Sequence, residues 1–415
     1  MKRGYLSDFF QGVGAKCLAQ VDTISEVSNQ HEVTGSDPLR RILGETPRKQ
    51  ADRFDATYIW ISGEQESLTE YGKLSWYDSR KNDPTRSAEW RLYYQTNAVT
   101  RTMQPNNTLV VARQKDDRLL FIVVPQGTTI ESQIFWLFGL HAQITLEFEP
   151  QIITRENAAA LDFTAQFILD ELGIQLEDPD ANSIDAIIER FGMKFPSTRD
   201  FSDLARLTLP EVDARDDPDA ALLAWLDHEE AMFRRLERRI VSERLSAGFT
   251  TDDGIDVDGF LKYSLQVQNR RKSRMGWSFE HHLAATFRAC ELTFDSQVKT
   301  EQGNTADFLF PSAAAYDEPQ FPAHQLTMLA AKSTCKDRWR QVIPEAQRIW
   351  PKHLVTLEPA ISVSQTDQMI AERIQLVVPI GIQASYQLNQ RNSILSIQQF
   401  VDHVQARMSM EQPHQ

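Results

Sequence analysis

Cysteine is scarce in this 415-residue chain: Cys17, Cys290 and Cys335 lie far apart, with none of the short spacings that hold a metal. So sparse and odd a set excludes a disulfide framework and points to a reducing cytoplasm with buried thiols. Long apolar runs are missing too; none approaches the ~20 residues that cross a bilayer, so no membrane partner is expected. The opening MKRGYLSDFF has a basic pair but no apolar stretch behind it, which argues against a secretory signal. Internal repeats are absent. Positive charge is in deficit, with 44 Lys and Arg against 58 Asp and Glu and a net charge of −14. That deficit excludes a uniformly basic surface but not a polyanionic partner, because phosphate is met by local patches.

Such patches are present. Arg270, Arg271, Lys272 and Arg274 form one, and Lys332, Lys336, Arg338 and Arg340 form another, while acid concentrates between Leu176 and Asp219. A hydrophobic content of 41% with 25% charge describes an ordinary globular protein, and the length favours two domains.

The first ~150 residues read as mainly β. Alternation and β-branched or aromatic enrichment place strands at Ala56–Ile61, Lys73–Tyr77, Trp90–Tyr94, Thr108–Ala112 and Leu119–Pro125, with a closing helix near Gln133–Leu140. Short strands at this spacing suggest a small barrel or sandwich. Helical period then takes over at Ala158–Leu172 and Ile184–Phe191, and Pro196, Ser197 and Thr198 read as a linker. Ala220–Ser246 spaces Leu222, Leu226, Met232, Phe233, Leu236 and Ile240 as a helix with a core or dimer face. An α/β stretch follows: helix Trp277–Cys290, strands at Ser296–Thr300, Ala306–Phe310 and Leu326–Ser333, helix Arg338–Ile349, and strands at His353–Leu357 and Ile374–Val378. Such alternation points to a sheet covered on both faces.

One constellation suggests chemistry. Asp307 stands where a polar segment enters Phe308-Leu309-Phe310, Lys332 ends the apolar run Met328–Ala331, and Glu345 follows on the next predicted helix. Carboxylates on neighbouring elements can hold a divalent metal, and magnesium suits them because it keeps waters and phosphate oxygens as its other ligands. A lysine beside them can orient an attacking water and offset charge on phosphorus. Carboxylates at strand ends are also common turn formers, so spacing alone leaves the site open.

The local sequence goes further. Asn269–Arg274, Ser278-Phe279-Glu280, Ala306–Ser312, Ala315-Tyr316-Asp317, Met328–Gln341, Glu345-Ala346, His353-Leu354 and Leu376–Pro379 resemble the EcoRII-type type II restriction endonucleases in their PD…K-fold catalytic domain. The block Lys332–Gln341 is the most specific part, and the resemblance covers roughly Phe195 to Pro379. It implies a first metal-binding carboxylate at Asp307, a catalytic lysine at Lys332, and a second carboxylate at Glu345 moved from strand to helix. It also implies an outer metal-binding carboxylate at Glu280 and a catalytic tyrosine at Tyr316, whose other role would be capping or packing. Ala306 replaces the proline that commonly precedes the aspartate. Lys336, Asp337 and Arg338 would read adjacent C·G pairs, since Arg and Lys donate to guanine and Asp accepts from cytosine. Arg270, Arg271, Lys272 and Arg274 would contact phosphates.

The N-terminal half resembles the same family's effector-binding domain, a pseudobarrel related to the plant B3 DNA-binding domain. His31, Arg80, Arg86, Glu89 and Arg91 match its DNA-contacting positions. The resemblance divides the chain into a B3-like β-barrel domain over 1–155, a helical linker over 156–195, a restriction-endonuclease-like α/β domain over 196–405 and a flexible tail over 406–415. It implies a cytoplasmic homodimer that cuts double-stranded DNA with Mg2+ at a CC/GG-containing site such as CCWGG, restrained by its N-terminal domain. Two rival readings are a non-cleaving B3-like regulator and a nuclease sensing methylated cytosine. The latter would use an aromatic pocket drawn from Trp76, Tyr77, Trp90, Tyr93 and Tyr94.

Overall fold

The computed structural model describes residues 4–23, 31–35, 37–44, 51–63, 67–83, 85–140, 145–174, 191–251 and 254–409. The chain divides into two compact units, Met1–Gln175 with Pro359–Gln365, and Leu176–Glu358 with Thr366–Gln415.

The first unit is built on eight strands: β1 (Phe10–Cys17), β2 (Glu32–Thr34), β3 (Ala51–Trp60), β4 (Leu68–Asp78), β5 (Trp90–Tyr94), β6 (Thr108–Gln114), β7 (Leu119–Val124) and β8 (Glu149–Ile152). They form one sheet in the order β2-β5-β4-β3-β7-β6-β1-β8. The β3–β7 pair runs parallel. Along β4, Leu74, Trp76 and Asp78 point inward and their neighbours outward, the period of two that made this strand readable. All six residues of β7 are buried, which explains its unbroken apolar run. Among the helices that accompany the sheet are α1 (Asp37–Leu43), α2 (Thr129–Phe138) and α3 (Phe163–Glu171).

Strand β1 escaped the sequence reading because Gly12 and Gly14 look like breakers. Here they permit close approach of α1. A Cβ on Gly14 would lie 3.1 Å from Leu39 and 3.3 Å from Phe148, and one on Gly12 would lie 3.2 Å from Ile42. Strand β2 is only three residues long, too short to show a period. The expected helix Ile184–Phe191 lies outside the described residues except for Phe191.

The second unit has two long helices, preceded by a shorter one, and a five-stranded sheet. Ser197 is no linker residue: its hydroxyl caps α4 (Thr198–Leu207) by accepting from the Asp200 amide. Helix α5 (Pro218–Ala247) begins on the cap Asp217 with Pro218 in its first turn. Past the short hairpin of β9 (Thr250–Thr251) and β10 (Gly254–Ile255), α6 runs from Val257 to Ala289, far longer than expected. Phe201, Leu204, Met232, Phe233 and Leu236 join α4 to α5.

The sheet order is β11 (Asp295–Lys299), β12 (Thr305–Phe310), β13 (Thr327–Lys332), β14 (Lys352–Thr356) and β15 (Ile374–Val377). The first two pairings are antiparallel and the last two parallel. Phe287 of α6 packs edge-on against Phe308 and Phe310 at 5.3 and 5.5 Å, and Phe400 of α7 (Ile397–Met408) packs on Phe310 at 5.7 Å. The α/β class expected for the C-terminal half and the mainly β class expected for the N-terminal half both hold.

Candidate active site

Three adjacent elements deliver the polar residues. Asp307 lies inside β12, Lys332 ends β13, and the β12–β13 register pairs Phe308 with Leu329. That pairing sets Asp307 beside Ala331 and Lys332. Asp307 Oδ2 accepts from the Ala331 amide at 2.8 Å and from Lys332 Nζ at 2.9 Å. The pair is largely shielded, with side chains 9% and 19% exposed. Local sequence explains the position: the apolar runs bury the strands, and the strand edge carries the polar ends.

Glu280, on α6, joins the pair through Gln297 of β11. Gln297 Nε2 donates to Glu280 Oε2 at 2.7 Å and to Asp307 Oδ1 at 3.2 Å. Burial, with the Asp307 charge adding to it, pushes the Glu280 carboxyl up to about 7. Gln297 carried no signal in the sequence.

Glu345 was expected on a helix. Instead Lys336–Val342 forms a 3-10 turn, Pro344 removes a helical donor, and Glu345 sits in the turn beyond it. The site still gains it. Burial pushes its carboxyl up to about 7, the Lys332 charge opposes that shift and the Asp307 charge adds to it. Its Oε2 is buried and has no hydrogen-bond partner. Lys352, fully buried on β14, donates to the main-chain carbonyls of Glu345 and Ala346. Burial lowers Lys352 to about 8. A lysine inside the apolar strand Lys352–Thr356 was a signal that the sequence reading passed over.

Tyr316 requires a correction. Its hydroxyl donates to Glu301 Oε1 at 2.5 Å rather than to Asp307, and Arg348 stacks over its ring at 5.5 Å. Glu301 Oε2 in turn accepts from the Gln347 amide at 3.3 Å. Tyr316 therefore braces the turn next to Glu345.

Among the described residues, no group of three His, Cys, Asp or Glu side chains makes a ready metal cage. Asp307 and Glu345 nonetheless fit a magnesium-like ion. They offer hard oxygen donors, one of them a buried oxygen without a partner, and such an ion takes few carboxylates.

The second basic patch is exposed at Asp337, Arg338 and Arg340, over a buried Trp339. Arg338 bonds to Thr334, and Arg340 pairs with Asp337. The first patch divides. Arg274 is no phosphate contact: it is 7% exposed, its guanidinium taken by Glu229 and Glu230, and it lies over the Phe233 ring at 4.1 Å. Arg271 pairs with Glu237, Arg270 stacks on Phe195 at 4.0 Å, and the Lys272 side chain lies outside the described residues.

In the first unit, Arg80 and Arg91 both pair with Glu89, the former at 2.6 Å, and Arg91 also donates to Thr34 at 2.9 Å. His31, at the start of β2, faces Thr96 at 3.4 Å and packs edge-on to Tyr94. The Arg86 amide donates to the Asp83 carbonyl at 3.4 Å, in the turn before β5. Of the five aromatics that could form a pocket, Trp76, Trp90 and Tyr94 are core residues, with Trp76 stacked on Trp90 at 5.2 Å, whereas Tyr93 is exposed and Tyr77 is half-buried with its hydroxyl bonded to Glu32.

Comparison with known proteins supports the resemblance. Residues 233–401 match the family model described as EcoRII C terminal, a stretch that contains Glu280, Asp307, Lys332 and Glu345. Over 230 residues the chain is 36% identical to the type II restriction enzyme EcoRII of Escherichia coli, covering 55% of each protein. The chain thus spans about half the length of the curated relative it matches. Among solved structures, metal-depleted Ecl18kI in complex with uncleaved, modified DNA is 16% identical with a TM-score of 0.46, covering 58% of this chain and 88% of that one. A PspGI–substrate DNA complex is 16% identical with a TM-score of 0.42, covering 52% and 93%.

Proposed function

We propose that the chain is a type II restriction endonuclease, cutting double-stranded DNA with Mg2+ at a CC/GG-containing site such as CCWGG. The observation that carries this reading is the shielded Asp307–Lys332 pair beside Glu345, whose buried carboxylate oxygen has no protein partner. Likeness to EcoRII over the same residues supports it.

Asp307 and Glu345 would hold the ion, which supplies charge for the phosphoryl oxygen and a lowered water pKa. Asp307 is held for that task by the Ala331 amide and Lys332. Lys332 Nζ is positioned to orient the attacking water and to meet charge developing on the phosphate. Glu280, its proton retained up to about pH 7, would bind through an outer water. Lys336, Asp337 and Arg338 would read base edges, and Arg270 and Arg271 would meet phosphates. His31, Arg80, Arg86, Glu89 and Arg91 would bind a second DNA copy, and the first unit would restrain the nuclease until that copy is bound. A two-fold target favours a cytoplasmic homodimer. None of the helices among the described residues is long and apolar enough to cross a membrane.

Digestion of methylated and unmethylated plasmid with Mg2+, followed by end mapping, tests this reading. Discrete ends at one short sequence are expected. Tight DNA binding without any cutting would favour the non-cleaving regulator instead.

A further inference from the structure

The segment from Cys335 to Ala346 carries Lys336, Asp337 and Arg338 at one end and Glu345 at the other. Its middle, Lys336–Val342, is a 3-10 helix held by its own i→i+3 bonds, while its two ends bend into the left-handed region and turn away from that helix. Two buried charges hold those ends from strand β14 and its exit. Glu358, 3% exposed, accepts through Oε2 from the Cys335 and Lys336 amides, the latter at 3.0 Å. Lys352 donates through Nζ to the carbonyls of Glu345 and Ala346, the latter at 2.5 Å. The signs match: a carboxylate meets N–H groups at the entry, and an ammonium meets carbonyl oxygens at the exit.

Both pinned ends are conformationally costly. Lys336 has φ 36° and Ala346 has φ 45°, a left-handed region that such residues keep only when their surroundings hold them. Strand β14 is itself in parallel register with β13, with Thr356 opposite Lys332. The same strand therefore ties both ends of the segment to the strand that presents Lys332.

We propose that Glu358 and Lys352 are positioning residues, a two-point clamp that sets Lys336–Arg338 and Glu345 in register with Asp307 and Lys332. The clamp's consequences for reading and metal binding rest on the function proposed above, whereas its effect on the backbone does not. Hydrogen–deuterium exchange on the full chain tests the backbone directly. Glu358→Ala should speed exchange at Cys335–Arg338, and Lys352→Met should speed it around residues 345–349. Glu358→Gln keeps an acceptor and should restore most of the protection. If Glu358→Ala does not fold, Glu358→Asp, with its shorter reach, carries the same expectation, and Lys352→Gln serves likewise at the other end.

Two further readouts separate positioning from general stability. Mn2+ affinity by calorimetry should fall about tenfold to a hundredfold in Lys352→Met and hold in Glu358→Ala. The cleavage preference for a CCWGG duplex over one with a single C·G pair swapped should fall in Glu358→Ala and hold in Lys352→Met. Unchanged local exchange in both variants would overturn the clamp. So would a lower melting temperature with Mn2+ affinity and cleavage preference intact. A wild type that neither binds Mn2+ nor distinguishes the duplexes would instead sink the functional reading, and exchange alone would then decide the clamp.

Discussion

Two glutamates in the second unit, Glu229 and Glu345, are both buried, yet their surroundings are opposite. Glu229 has both oxygens occupied, Oε1 by Arg274 at 2.7 Å and Oε2 by His282 at 2.8 Å. Arg206 bonds to His282 Nδ1 at 2.8 Å, which leaves Nε2 as the donor toward Glu229. Burial works against ionisation of Glu229, but the bond from His282 and the Arg274 charge outweigh it and bring its pKa below the ordinary value. Glu345 has one oxygen without a partner and a carboxyl pushed up to about 7. A paired buried carboxylate spends its charge inside the fold, where it joins α4, α5 and α6. An unpaired one keeps the capacity to receive something from outside.

The contrast can be broken in several ways, the largest first. Asp307→Ala should lower cleavage by at least about a thousandfold, because the ion's contribution amounts to several kcal/mol. DNA binding in a gel-shift assay should survive, and retained cutting would remove Asp307 from the site. Glu229→Gln should behave in the opposite manner. It removes one of the two carboxylates that neutralise buried Arg274, leaving Glu230, at a cost of up to about 3–5 kcal/mol of stability, while turnover per folded molecule holds. Denaturant titration and active-site counting would check both halves. Loss of turnover at full stability would erase the distinction between the two glutamates.

Arg338→Ala should cost about 1–3 kcal/mol of discrimination between cognate and singly swapped duplexes, with rates on the swapped duplex little changed. Equal losses on both duplexes would reduce Arg338 to a phosphate contact. The smallest effect concerns pH. Folded Glu280 and Glu345 keep their protons to about 7 against an ordinary 4.5, so between those values the folded state holds protons that the unfolded chain has released. Metal-free stability should therefore fall as pH rises through that window, and Glu345→Gln should remove roughly half of the slope. Metal affinity should rise over the same range. Thermal unfolding without metal at several pH values, run for both proteins, would show a flat profile if the two carboxyls were ordinary.

Much of this could be read from local pattern. The strands predicted at Ser296–Thr300, Ala306–Phe310, Leu326–Ser333, His353–Leu357 and Ile374–Val378 all occur within a residue or so at each end. Apolar runs between polar turns encode strands whatever they pair with. Asp307 and Lys332 were visible as polar punctuation on such runs. Glu345 was open on spacing alone and was singled out by its neighbours' likeness to a family, and its helix was wrong because Pro344 and the Lys352 bonds favour a turn. Arg274 was misjudged for a related reason. In sequence it belongs to a basic cluster, whereas its partner Glu229 lies 45 residues away.

The sequence by itself determined where most of the strands and helices form, though not β1, β2 or the turn at Glu345, because period and capping act over a few residues. It also held the chemical types needed for a phosphodiester-cutting centre and the block Lys332–Gln341 that marks their kind. Tertiary structure alone decided which charges are neutralised and which are left open. Burial multiplies the consequence of each partner, and partners are brought together by strand register and helix packing rather than by proximity in the chain. That is why Arg274 became part of the scaffold, and why Glu345 remained able to take a ligand.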